Sequence, residues 1–196
     1  MAKDERRFDP KDKYGLISSD RQARWDPKHF VSRFGPLDGL VALDLGSGPG
    51  FWTLPLAERV GSGGQVIALD VSEEMLKTLV ERQPPAQVHT MQGELPKIDL
   101  PDASVDFIWA AFIYHEVENP EKLALEMSRV LRENGRAAIL DWRPEAHGQS
   151  GPPRHHRIPS AKVIEQLVQA GFQKASIGWL DQDAYLIEAT KLDEAV

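Results

Sequence analysis

Two acids and three glycines at fixed spacing are the residues of this chain best placed to do chemistry. Asp44, Gly46, Gly48 and Gly50 fall in VALDLGSGPG, Val41 to Gly50, and Asp70 closes the stretch VIALD further on. A glycine-rich turn lets a ligand approach the backbone closely, because no Cβ stands in the way. An acid at the tip of the following strand can accept both hydroxyls of a ribose. A dinucleotide fingerprint, G-x-G-x-x-G, would need a third glycine at position 51, which is Phe51. The pattern present is D-x-G-x-G-x-G, and a carboxylate beside the loop suits an amine-bearing or cationic ligand while repelling a pyrophosphate.

These residues need strands and helices to hold them, and the sequence predicts an alternation. Leu40 to Leu45 reads as a first strand, Phe51 to Val60 as a helix with Pro55 in its first turn, and Val66 to Asp70 as a second strand. Ser72 is expected to cap a helix with Met75, Leu76, Leu79 and Val80 on one face, ended by Pro84-Pro85. Gln87 to Met91 and Val105 to Phe112 read as strands. Asn119-Pro120 opens a helix carrying Leu123, Met127, Val130 and Leu131, closed by Asn134-Gly135. Arg136 to Trp142 is a further strand. Ser160 is expected to cap a helix bearing Val163, Ile164, Leu167 and Val168. The last strands, Lys174 to Leu180 and Ala184 to Thr190, are joined only by Asp181-Gln182-Asp183, which requires antiparallel neighbours.

The D-x-G-x-G-x-G pattern resembles motif I of the class I S-adenosylmethionine-dependent methyltransferases. Further stretches strengthen the resemblance. GELPKIDLPDASVD, Gly93 to Asp106, resembles the family's G-D-A-x-x-L-P-F-P-D-x-S-F-D without a gap. Ala110 to Val117 resembles its S-x-x-L-H-H-V, and RVLRENG its R-V-L-x-x-x-G. The resemblance covers about residues 24 to 190 and implies a Rossmann-like α/β fold: a seven-stranded, mostly parallel sheet with an antiparallel C-terminal hairpin and helices on both faces. It implies S-adenosylmethionine as cofactor, with S-adenosylhomocysteine as product.

It also implies roles for individual residues. Asp44 would order the loop and face the methionine amino group, and Ser47 would bring its amide close. Asp70 would hold the ribose, with Val71 against the adenine face. Gly93 and Glu94 would lie at the adenine, Glu94 accepting from its amino group and Leu95 offering its amide to a ring nitrogen. Ala110 would offer its carbonyl to the methionine moiety. The chain departs from the family with Glu94 for Asp, Leu95 for Ala and Asp99 for a frequent Pro, and Glu94 is one methylene longer than the family's acid. His115 and Glu116 are the candidates to take a proton from an acceptor.

Residues 1–25 read as an N-terminal tail or cofactor cover, with Trp25 in the covering stretch RQARWDP, and residues 26–196 as a single methyltransferase domain. Asp26-Pro27 reads as the cap and first residue of a helix bearing His29, Phe30 and Phe34. The segment Asp141 to Pro159 gathers His147, Arg154, His155, His156 and Arg157, and reads as a substrate lid or a proline-held surface loop. On an extended chain His155 and His156 would face opposite ways, which argues against a shared metal site, and no metal is expected. With no cysteine, disulfides, thiolate metal sites and cysteine nucleophiles are excluded. No stretch approaches the length of a membrane span, so a cytoplasmic protein is expected. A net charge of −7 gives no general attraction for a phosphate backbone, which argues against nucleic acid as a partner. The expected acceptor is a small molecule, in the manner of the quinone-biosynthesis methyltransferases. A protein or RNA methyltransferase and a non-catalytic cofactor-binding module are the alternatives. The oligomeric state is left open.

Overall fold

The computed structural model describes residues 8–146 and 151–192. It divides into two compact units, Phe8–Glu94 and a second beginning at Leu95. The described residues hold seven strands, three in the first unit and four in the second.

In Phe8–Glu94, three strands run parallel: β1 (Val41–Leu45), β2 (Gln65–Asp70) and β3 (Val88–Gln92). Strand β1 is buried along almost its whole length, as a parallel strand covered on both faces must be. A 3-10 helix (Pro10–Ile17) and two short helices, α1 (Ser19–Arg24) and α2 (Pro27–Ser32), precede the sheet. Asp26 caps α2 as expected, its side chain accepting from the amides of Lys28 and His29. Trp25 packs its ring 6.1 Å from that of Phe30 and is buried, so it serves the core of this unit.

Helix α3 (Thr53–Val60) returns the chain from β1 to β2, and Pro55 falls in its first turn, where a missing N–H costs nothing. Helix α4 (Glu73–Glu81) begins at Ser72, whose hydroxyl accepts from the Met75 amide, with Glu73 and Glu74 in the first turn favoured by the helix dipole. Its buried face is Met75, Leu76, Thr78 and Leu79. Val80, expected on that face, is exposed, and Thr78 takes its place by donating its hydroxyl to the Glu74 carbonyl at 2.9 Å.

In the second unit, β4 (Val105–Ala111) and β5 (Leu131–Trp142) are parallel and joined through α5 (Pro120–Val130), which Asn119 caps through the Lys122 amide. The helix ends at Val130, earlier than expected. Leu131 already pairs with Val105, and Asn134-Gly135 falls within the strand, beside an irregularity in its register. Helix α6 (Ser160–Gln169) leads to β6 (Lys174–Leu180) and β7 (Ala184–Thr190), with β7 antiparallel to both β5 and β6. The three-residue connection is closed by Asp181, whose Oδ1 accepts from the amides of Asp183 and Ala184. Ser160 is the first helical residue of α6 and makes no capping bond. Val163 and Leu167 are buried as expected, but Val168 is exposed and Gln166 is buried instead. Gln166 can be buried because its polar atoms are satisfied: Oε1 accepts from the Tyr114 hydroxyl and Nε2 donates to Glu121.

Candidate active site

The tips of β1, β2 and β3 assemble the sequence-predicted acids and glycines of the first unit. After Leu45 the chain turns through Gly46, Gly48 and Gly50, with φ of 66°, 52° and 84°. The turn is held from three sides: the Ser47 amide donates to the Leu69 carbonyl at 3.0 Å, the Gly48 amide to Asp70 Oδ2 at 2.7 Å, and Arg82 Nη1 to the Pro49 carbonyl at 2.6 Å.

The glycines differ in what surrounds them. A Cβ at Gly50 would collide with Leu79 Cδ1, so Gly50 is there to let α4 pack. Among the described residues, a Cβ at Gly48 would meet only Leu16 Cδ1, at 3.6 Å.

Asp44 is buried at the tip of β1 with 1% of its surface exposed. Thr53 Oγ1 donates to its Oδ2 at 2.6 Å, while Oδ1 has no hydrogen-bond partner among the described residues. Burial pushes its pKa up to about 7; the Thr53 hydroxyl opposes the rise and the charge of Asp70 adds to it. The hydroxyl of Ser47 is likewise buried without a partner. Asp70 lies between the Gly48 amide on Oδ2 and the Ser72 amide, 2.8 Å away, on Oδ1. Burial raises its pKa and these amides hold the rise back.

The tip of β3 is tied to that of β2. The Gly93 amide donates to the Asp70 carbonyl and Gln92 Nε2 to the Val71 carbonyl. Val71 and Glu94 are exposed at this edge. Arg21 was not singled out from sequence. Its guanidinium lies 5.2 Å from the Phe51 ring centroid, just past the glycine turn, and burial lowers its pKa to about 10.

Leu95 and Ala110 belong to the second unit, Leu95 half-buried at its start and Ala110 fully buried in β4. Beyond β4 the chain reverses at Phe112, a buried aromatic residue at φ 58°, whose amide donates to the Leu140 carbonyl at 2.7 Å. A bulky residue at positive φ is an outlier, kept here by the surrounding pairing. The reversal starts the 3-10 turn Tyr114–Glu116 and delivers His115 to the end of β5. There Asp141 Oδ1 lies 2.6 Å from His115 Nδ1 and also accepts from the Trp142 amide at 2.8 Å, while Oδ2 accepts from the His115 amide at 3.0 Å. His115 Nε2 lies 4.0 Å from Glu116 Oε1. Burial pulls the His115 pKa down, but the charge and hydrogen bond of Asp141, helped by Glu116 and opposed by Arg157, leave it above the ordinary value.

Asp141 was read from sequence only as part of the strand Arg136 to Trp142 and as the start of the segment that runs to Pro159, with no role of its own. The available signal was an acid at a strand's C-terminal end, but its partner is set by which strands are neighbours. His147 lies outside the described residues. His155 and His156 sit on a 3-10 turn, Arg154–His156, with ring centroids 4.1 Å apart, so the extended-chain picture of opposed rings does not hold. Among the described residues no cluster could hold a metal ion. Arg157 is buried, donating from Nε to the Pro152 carbonyl and from Nη1 to that of Arg143, with its guanidinium 5.8 Å from the Trp142 ring centroid. It fastens the loop. No helix among the described residues is long and apolar enough to cross a membrane.

A parallel sheet with an open glycine turn and acids at its first two strand tips defines a nucleoside-binding α/β protein. Comparison with known proteins makes the class specific. The family model for a methyltransferase domain matches residues 43–139. The crystal structure of a SAM-dependent methyltransferase from Aquifex aeolicus agrees with a TM-score of 0.86 and 32% identity, over 95% of this chain and 100% of that one. The chain belongs to the S-adenosylmethionine-dependent methyltransferases. It is also similar to the demethylmenaquinone methyltransferase of Staphylococcus epidermidis, 34% identical over 129 residues, which is 64% of this chain and 52% of that protein. A second relative is the ubiquinone/menaquinone biosynthesis C-methyltransferase UbiE of a Marinomonas species, 32% identical over 136 residues, 67% of this chain and 54% of that protein. The chain thus spans about half the length of these curated relatives.

The unpartnered Oδ1 of Asp44, the unpartnered hydroxyl of Ser47 and the open side of Gly48 fit the family's cofactor, which has a nucleoside at one end and an ammonium group at the other.

Proposed function

We propose that this chain transfers a methyl group from S-adenosylmethionine to a small-molecule acceptor by in-line displacement. The observation that carries this reading is the strand-tip cluster of Phe8–Glu94: a buried acid with one oxygen unsatisfied, beside a glycine with open space and a second acid. Asp44 would receive the methionine ammonium group, Ser47 would present its amide, and Asp70 would take the ribose. Val71 and Gly93 would border the adenine, and Glu94 would accept from its amino group. The resemblance adds the Leu95 amide and the Ala110 carbonyl. Arg21, a cation beside Phe51, suits the carboxylate end. The 3-10 helix Pro10–Ile17 bears Leu16, which faces Gly48, and residues 1–25 would act as cofactor cover to a methyltransferase domain of residues 26–196.

The cofactor, when bound, supplies a sulfonium methyl that is already activated, so the chain's task is alignment and exclusion of water. His115, with Glu116 beside it, would take the acceptor's proton. A small acceptor is supported by the relatives named for quinone methylation and by the acidic net charge.

Calorimetry tests the reading. S-adenosylhomocysteine should bind at one per chain, and Asp70→Ala should weaken it by roughly 10- to 100-fold, as loss of a charge-assisted contact worth about 1.5–3 kcal/mol requires. Tight binding of NAD with no response to S-adenosylhomocysteine would overturn it.

A further inference from the structure

The second unit contains a buried proton-handling pair whose chemistry narrows the acceptor. Three donors converge on Asp141: the ring Nδ1–H of His115, the His115 amide and the Trp142 amide. A carboxylate can only accept from these groups, so neutral His115 carries its proton on Nδ1 and leaves the lone pair on Nε2. The backbone works to the same end. Phe112 is held at positive φ so that the chain can double back and set the His115 amide and ring on one carboxylate. Phe112 then lies against Trp142, ring centroids 4.7 Å apart, which puts an aromatic pair beside the dyad in the chain.

Resting on the methyltransferase reading, we infer that Asp141 is a positioning residue that fixes His115 with Nε2 as proton acceptor, and that the methyl acceptor is therefore an aromatic or enolic hydroxyl. In that step the acceptor's O–H bond breaks, an Nε2–H bond forms, and the imidazolium charge is balanced by Asp141. The acceptor class follows from acidity. A phenol, with a pKa near that of tyrosine at about 10, is almost wholly protonated at neutral pH and gains from a base. A thiol, at about 8.5, ionises far more readily, and a neutral amine already presents its lone pair.

The titratable and charged groups facing the pair are Glu116 on the same turn, Arg157 beyond β5, and the hydroxyls of Tyr114 and Tyr185. Both tyrosines are held protonated, chiefly by burial and also by the charge of Asp141. The base is active when neutral, so the acid limb of the rate should lie above the ordinary histidine value of 6.5.

The test uses the full chain. Nitrogen-15 NMR of the histidine rings, without cofactor, should show His115 as the Nδ1–H tautomer, titrating above 6.5, and Asp141→Asn should lower that midpoint. Methyl transfer to para-methoxyphenol should fall about 100-fold or more in His115→Gln and Asp141→Asn, with kcat affected and KM little changed. Transfer to para-nitrophenol, which ionises unaided at mildly alkaline pH, should fall much less, and raising the pH should rescue His115→Gln. If Asp141→Asn does not fold, the tautomer in the unaltered protein and the His115→Gln kinetics decide. An Nε2–H tautomer, an equal loss on both phenols, or methylation of thiols or amines but of no phenol would overturn the inference. S-adenosylhomocysteine calorimetry on the unaltered chain separates the two levels: if it binds and the dyad results fail, only this inference falls.

Discussion

Asp44 is the residue whose environment is least expected of a stable fold: a buried carboxyl with one oxygen unpaired among the described residues. The cost shows in its proton affinity. With a folded pKa of about 7 against an ordinary 3.8, the folded chain holds a proton that the unfolded chain has released over that interval. Stability contributed by protonated Asp44 is therefore full below about pH 4 and is lost as pH rises to about 7. Asp70, raised in the same direction, adds to the trend. Thermal unfolding of the ligand-free protein should show this decline between about pH 4 and pH 7, and Asp44→Asn, which cannot titrate, should flatten it. A cofactor ammonium group beside Oδ1 would favour the carboxylate and expel the proton. Titrating S-adenosylhomocysteine near pH 7 in buffers of different ionisation heat should reveal proton release, absent in Asp44→Asn; equal heats in all buffers would separate Asp44 from the amino group.

At the scale of elements, the glycine turn does two jobs with residues that look alike in the sequence. Gly48 has φ 52° and open space, so Gly48→Val should fold, carrying roughly 1–2 kcal/mol of left-handed strain, and yet lose S-adenosylhomocysteine binding. Gly50 has φ 84° and Leu79 against it, so Gly50→Ala should lose stability instead, by about 1–3 kcal/mol from overpacking besides its own strain. Urea unfolding together with calorimetry separates the two, and normal affinity in Gly48→Val would show that the ligand does not approach this turn. That difference was not legible from three alternating glycines, because it depends on which helix packs behind each. What was legible is local. Ser72 and Asn119 cap the helices they precede, and the three-residue link before Ala184 makes an antiparallel hairpin. Buried faces were readable to within one residue, failing at Val80 and Val168. There Thr78 and Gln166 satisfy their own polar atoms and so can replace apolar side chains, which a pattern of hydrophobic spacing does not register. The acids at the tips of β1 and β2 follow from spacing along the chain. The His115–Asp141 pair is joined by strand neighbours and by a strained residue, neither of which leaves a periodic mark.

At the scale of the whole molecule, the strand-tip acids and the glycine turn proposed to hold the cofactor lie in Phe8–Glu94, and the His115–Asp141 pair lies in the residues after Leu95. A ligand that binds only the folded chain stabilises it by mass action. S-adenosylhomocysteine at about 100 times its dissociation constant adds about 2.7 kcal/mol, which for a chain of this length raises Tm by roughly 5–10 °C. Hydrogen exchange shows where that stabilisation falls. Protection should concentrate at the glycine turn, at Asp70 to Ser72 and in the 3-10 helix Pro10–Ile17, whose Leu16 faces Gly48. The segment from Arg143 to Pro159 should respond differently. Arg157 already fastens it to the carbonyls of Pro152 and Arg143, so the cofactor product alone should change its exchange little, and a phenolic acceptor added with the product should slow it further. Unchanged exchange in the 3-10 helix would deny it the role of cover. Unchanged exchange in Arg143 to Pro159 with both ligands present would mean that this loop is no substrate lid, and that the acceptor is recognised by the strand-tip residues alone.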